Sequence, residues 1–120
     1  MSEYVLGAVE SKFADLIWEH EPLGSGELVK LSAEALGWKK STTYTVLKKL
    51  CERGIFANEN GTVKSLVSKQ ELAAKASEHF VDEAFDGSLP AFVAAFTSKK
   101  RLTEQEVAAL KALIDGMEET

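Results

Sequence analysis

The sequence predicts a mainly α-helical fold with one small β-hairpin, on three observations. Apolar residues recur at helical spacing in three segments between residues 9 and 53. Asn60-Gly61 stands between two short strand-like runs. Beyond Ser68 the helical period returns, punctuated by helix-start signals.

Residues 9–20 read as the first helix, with Val9, Phe13, Leu16 and Ile17 at helical spacing. Gly7 is its expected N-cap. Glu10 puts a negative charge in the first turn, where the helix dipole favours one. Pro22 and Gly24 stop it. Residues 25–36 read as the second helix, capped by Ser25 or Gly24. Leu28, Leu31, Ala35 and Leu36 make its stripe, and Gly37 suits the left-handed position past its end. Residues 41–53 read as the third, with Ser41 as N-cap. Its back is Thr43, Val46, Leu47 and Leu50. Its front is Thr42, Tyr44, Thr45, Lys48, Lys49 and Glu52.

The period then changes. Residues 55–59 and 62–68 read as two strands around Asn60-Gly61. Both turn positions need positive φ, which Asn and Gly tolerate best.

Ser68 and Glu71 form a capping box for a helix running to about residue 85, along which Leu72, Ala76, Phe80 and Ala84 stack. Gly87 ends it. Leu89, Phe92, Val93 and Phe96 mark a short helix with Pro90 in its first turn. Thr103 and Glu106 start a last helix, striped by Val107, Leu110, Leu113 (or Ile114) and Met117. The expected division is a domain over residues 1–68 and a helical one over 69–120.

Net charge over the 120 residues is −5, yet the charge is unevenly placed. Residues 38–68 hold six basic side chains (Lys39, Lys40, Lys48, Lys49, Arg53, Lys64) against Glu52 and Glu59. A polyanion responds to that local field more than to the total. Cys51 is the single cysteine, and His20 and His79 stand apart, so no metal site and no cofactor is expected. With no signal-like or membrane-length apolar run, the expected location is the cytoplasm, with no membrane partner. Neither a nucleophile–base constellation nor a phosphate loop is present in the sequence, so no enzyme is expected.

Three helices and a hairpin in about 65 residues are the winged helix-turn-helix layout. A helix fits the major groove of duplex DNA, and it needs an apolar back and a polar-to-basic front. The third helix has both. Ser41, Thr42, Tyr44, Thr45 and Lys48 are the candidates for base edges. Lys39, Lys40 and Lys49 are the candidates for phosphates, and Lys64 for a phosphate or the minor groove. A merely solvated charged face has the same pattern, and some winged helices bind proteins instead. The surplus apolar side chains after Ser68 call for a partner surface or for a core of their own.

The chain also resembles the penicillinase-repressor family of winged-helix transcriptional repressors, over roughly residues 6–114. Glu10 with Ile17-Trp18 is similar to the family's opening helix. Gly37-Trp38 through Lys49-Leu50 is similar to its recognition-helix signature, W-x-x-x-T-x-x-T-x-x-x-R/K-L, and Arg53-Gly54 follows as its basic-Gly turn. The resemblance implies an operator-binding winged helix joined to a C-terminal helical dimerisation region. Thr42, Thr45 and Lys49 fall on recognition-helix positions. Phe80, Phe85, Phe92, Phe96, Leu110 and Leu113 fall in the dimerisation region. The implied partners are duplex operator DNA, a second copy of the chain, and in some members a sensor protease that leads to cleavage at Asn-Phe. The matching pair is Ala95-Phe96, which keeps the Phe and lacks the Asn.

Overall fold

In the computed structural model, which describes residues 4–118, six helices and three short strands follow one another. They are α1 (Ala8–His20), β1 (Leu23–Gly24), α2 (Ser25–Leu36), α3 (Lys40–Glu52), β2 (Phe56–Glu59), β3 (Thr62–Ser65), α4 (Lys69–Phe85), α5 (Leu89–Thr97) and α6 (Glu104–Glu118). The chain forms two compact units, one running to Phe80 and the other from Val81, so the boundary falls inside α4.

The core of the first unit is where the helical period puts it. Phe13, Ala14 and Ile17 of α1, Leu28 of α2, and Leu47 and Leu50 of α3 are buried together with Ile55, Phe56, Val63 and Leu72. Burying one such large side chain stabilises by about 1.5–3 kcal/mol. Two tryptophans close the sides. Trp38 packs on Phe13 with ring centroids 5.1 Å apart, and Trp18 on Phe56 at 5.3 Å. On α2 Ser32 is buried as well as Leu28; Ala35 and, on α1, Val9, both expected in the stripes, are exposed.

The hairpin pairs Glu59 with Thr62 and Asn58 with Val63 around Asn60 (φ +53) and Gly61 (φ +86). The Gly61 N–H donates to Asn58 Oδ1 at 3.1 Å. This register puts Val63 inward and Lys64 outward, and a slip by one residue would exchange them. Two features differ from the sequence reading. A third strand, β1, pairs antiparallel with β3 through Leu23 and Val63. Two residues are too short to show a period, so only the burial of Leu23 marks it. The second hairpin strand also stops at Ser65, because the N–H groups of Leu66 and Val67 both converge on the Ile55 carbonyl. One carbonyl serving two donors breaks the ladder.

The hairpin base is fixed from α1. Glu21 Oε1 accepts the Ser65 N–H at 2.8 Å and the Ser65 hydroxyl at 2.7 Å. Trp18 Nε1 donates to the Val67 carbonyl at 3.1 Å. The start of α4 is held by the Lys69–Asp15 ion pair, 2.8 Å, and by Ser68, whose hydroxyl accepts the Glu71 N–H.

The second unit has a different character. Ser88 caps α5 by accepting the Ala91 N–H at 3.1 Å. Thr103 and Glu106 cap α6 reciprocally, at 2.9 and 3.1 Å. Phe85, Phe92 and Phe96 form a chain of rings, with centroids 5.6 and 6.2 Å apart. Among the described residues from Val81 on, not one is fully buried.

Candidate nucleic-acid interface

The face of α3 follows from where the helix begins. Ser41 is not its N-cap. That position is Lys39, in extended geometry, and the Thr43 N–H already donates to the Lys39 carbonyl at 3.1 Å. The physical reason lies upstream: Trp38 is anchored on Phe13, so the chain turns into the helix directly after it. Ser41 therefore sits in the first turn, exposed, its hydroxyl released from capping.

Thr43, Leu47 and Leu50 turn inward and are buried. Ser41, Thr42, Thr45, Lys48 and Lys49 turn outward and are exposed. Thr45 donates its hydroxyl proton to the Ser41 carbonyl at 2.9 Å, so its oxygen is left as an acceptor. Such an acceptor suits an adenine or cytosine amino group. Lys39 and Lys40 lie exposed at the start of the helix. Among the described residues, Lys39, Lys40 and Lys48 have no ion pair.

Three further candidates have intramolecular partners. Tyr44 is half-buried, and its hydroxyl donates to Ser25 Oγ at 3.1 Å. Lys49 Nζ lies 3.5 Å from Glu10 Oε2. Lys64, outward-facing on β3, lies 3.4 Å from Glu59 across the hairpin. The structure thus brings Ser41, Thr42, Thr45 and Lys48 onto one exposed surface, flanked by Lys39 and Lys40. It places Tyr44 on the flank against α2.

Ser25 and Glu10 hold the flanks of this surface and Glu21 holds the hairpin base, and the sequence reading gave none of them that role. Gly24 takes the N-cap of α2, which leaves the Ser25 hydroxyl to accept from Tyr44. The Ser25 N–H donates to the Gly61 carbonyl at 2.8 Å, so the same residue also holds the hairpin turn. The alternative of Ser25 or Gly24 as cap was the only available signal. Glu10 was legible as a dipole partner, and its N–H donor Gly7 bears that out at 3.1 Å. Its reach to Lys49 crosses 39 positions of sequence and leaves no local trace.

Glu10 is held below the usual carboxylate range, first by the Gly7 N–H and then, against the opposing effect of burial, by Lys49 and Arg53. Burial pushes the Cys51 thiol up. Cys51 is half-buried in a shallow groove with Tyr44, Leu47, Lys48 and Asn58.

In the second unit, Phe92, Val93, Phe96, Leu102, Ala109 and Leu110 line an apolar groove between α5 and α6. Phe96 is 49 % exposed, Leu110 41 % and Leu113 59 %. Phe85 and Phe92 are half-buried. Phe80, at the end of the first unit, is exposed. Ala95 and Phe96 lie exposed within α5, and the Ala95 carbonyl accepts from the Ser98 hydroxyl at 2.7 Å. Among the described residues no helix is long and apolar enough to cross a membrane, and no group of three or more His, Cys, Asp or Glu is placed to hold a metal ion.

A protein-family model described as Penicillinase repressor matches residues 6–116. No curated protein matches the chain.

Proposed function

The chain belongs to the penicillinase repressor family, a family of DNA-binding transcriptional repressors and not of enzymes, and from that premise we propose that it acts in the cytoplasm as a homodimer on a palindromic operator. The observation that carries the reading is the exposed hydroxyl-and-lysine face of α3, backed by Thr43, Leu47 and Leu50. In this reading Ser41, Thr42, Thr45 and Lys48 meet base edges in the major groove. Lys39 and Lys40 meet phosphates at the helix start, and Lys64 meets one from the hairpin. Tyr44 contributes the edge of its ring, since its hydroxyl is engaged. Lys49 is a further phosphate candidate, one that already pairs with Glu10.

Arg53 and Arg101 are the only arginines, and neither lies within α3. Bidentate recognition of guanine by arginine is therefore not available there. Sequence preference rests on hydroxyls, Lys48 and the shape of the duplex.

The groove of α5 and α6 supports the dimer. A helical unit with no fully buried side chain needs a second surface to complete its core, and a second copy supplies the same groove in return. Cutting at Ala95-Phe96 would divide that surface, and this is the proposed route of relief by a sensor protease.

The test is a salt titration of binding to an operator selected with the purified protein. Affinity should fall steeply with salt, and Lys48→Ala should weaken binding while sedimentation still shows a dimer. Lys39→Ala, which removes one phosphate contact in this reading, should make the slope shallower by about 0.9. Binding by Lys48→Ala equal to the unmodified protein at every salt would remove α3 as the reading element.

A further inference from the structure

Glu10 lies where the start of α1 meets the end of α3, and its carboxylate gathers three donors. Oε1 accepts the Gly7 N–H at 3.1 Å and lies 3.8 Å from Arg53 Nη1. Oε2 lies 3.5 Å from Lys49 Nζ. The two sides of the last pair are unlike. The Glu10 side chain is 24 % exposed and held by the backbone and by Arg53, whereas the Lys49 side chain is 65 % exposed on a flexible stem. The carboxylate stays in place and the ammonium is the group that can leave.

Lys49 differs in this from the other lysines of the helix. Lys39, Lys40 and Lys48 have no ion pair among the described residues, while Lys49 already faces an anion. A DNA phosphate is an anion of the same kind. It must draw Lys49 off Glu10 or do without it.

We propose that Glu10 sets the affinity of the protein for DNA by occupying Lys49 as an internal stand-in for a phosphate. The inference rests on the DNA-binding reading of α3 and adds a tuning residue to it. Glu10 touches no DNA in this arrangement; it acts through Lys49. The pair is exposed on one side, so the competition is shallow and sensitive to salt. Glu10 ionises below the usual carboxylate range, chiefly through the Gly7 N–H, so the competitor is charged throughout the neutral range.

The test is a double-mutant cycle read by DNA affinity and its salt slope, on an operator selected with the unmodified protein. Glu10→Gln should tighten binding by about two- to fivefold, the range of one exposed ion pair. The salt slope should steepen by about 0.9 for each phosphate that Lys49 gains. In a Lys49→Gln background the same Glu10→Gln change should do nothing further. Glu10→Asp keeps the negative charge in the first turn of α1 but withdraws the carboxylate by one methylene, so it should tighten binding in the same direction even if Glu10→Gln folds poorly.

An equal gain in both backgrounds would show simple removal of a repelling charge and would overturn the proposal. So would unchanged or weaker binding by Glu10→Asp with its thermal unfolding intact. Should the unmodified protein bind no duplex, the reading of α3 itself falls, and this inference with it. Should it bind while the Glu10 variants match it, this inference alone falls.

Discussion

The Tyr44 hydroxyl donates to Ser25 Oγ at 3.1 Å, and the Ser25 N–H donates to the Gly61 carbonyl at 2.8 Å. One serine thereby ties α3, the start of α2 and the hairpin turn together. β1 reinforces the same junction, because Gly24 pairs with Thr62. The angle between α3 and the hairpin is set there, and in the proposed complex these two elements enter neighbouring parts of the groove.

Tyr44→Phe removes the hydroxyl and keeps the ring. Both partners are half-buried, so water can replace part of the lost bond. The expected loss of stability is about 0.5–1.5 kcal/mol in chemical denaturation. Ser25→Ala should cost a similar amount, and the double variant should cost less than the two singles added, because they remove one shared bond. Strict additivity would show that the bond contributes nothing.

These residues also show how far the sequence reaches. Most helix boundaries were legible because Pro22, Gly37, Ser68, Gly87, Pro90 and Thr103 act locally, and the Asn60-Gly61 turn was legible for the same reason. The exposed face of α3 followed from the period alone. The distant contacts that tie that face and the hairpin into the fold were not legible. Ser25 lies 19 positions from Tyr44, and Glu21 lies 44 from Ser65. Contacts at such separation depend on the packed core and leave no period. The start of α3 was misread because Ser41 is a good cap locally, whereas Trp38 decides the geometry through its contact with Phe13.

Ser32 gives a stability prediction of opposite sign. Its hydroxyl is fully buried on α2 and has no hydrogen-bond partner among the described residues. A buried, unpaired hydroxyl costs about 1–3 kcal/mol by mutational measures. Ser32→Ala should therefore raise stability by about 1 kcal/mol, aided by the better helix propensity of alanine. The urea midpoint should rise with an unchanged slope. A fall in the midpoint would show that the hydroxyl is paired.

Cys51 should react sluggishly. Burial pushes its thiol up, so at neutral pH the reactive thiolate is scarcer than in an open peptide. Labelling by a disulfide reagent at pH 7 should be slower than for a free peptide cysteine and should accelerate once the protein unfolds. Labelling as fast in the native state as in urea would contradict the burial.

Acid should remove the contribution of Glu10. Its carboxyl ionises below the usual range in the folded state, chiefly through the Gly7 N–H. A lowered folded-state value means the stabilisation is complete above the ordinary carboxylate range and is lost as the pH falls through the folded-state value. The difference in thermal midpoint between the protein and Glu10→Gln should be constant near neutrality and shrink on acidification. A difference that grew towards low pH would have the wrong sign.

Leu110→Asp tests the second unit. Leu110 is 41 % exposed and lines the groove with Phe92, Phe96, Leu102 and Ala109, and no described residue from Val81 on is fully buried. Desolvating an unpaired carboxylate there would cost a self-complementary interface far more than it would cost a solvated surface. Sedimentation should show monomers. Affinity for a two-half-site operator should fall by about a hundredfold or more, since the second half-site is no longer delivered at high effective concentration. Trp18 and Trp38 both belong to the first unit. Their fluorescence should therefore report an unchanged N-terminal fold, which separates lost pairing from lost folding. A dimer that persists with Asp at position 110 would show that the two copies, if they pair, do so through another face.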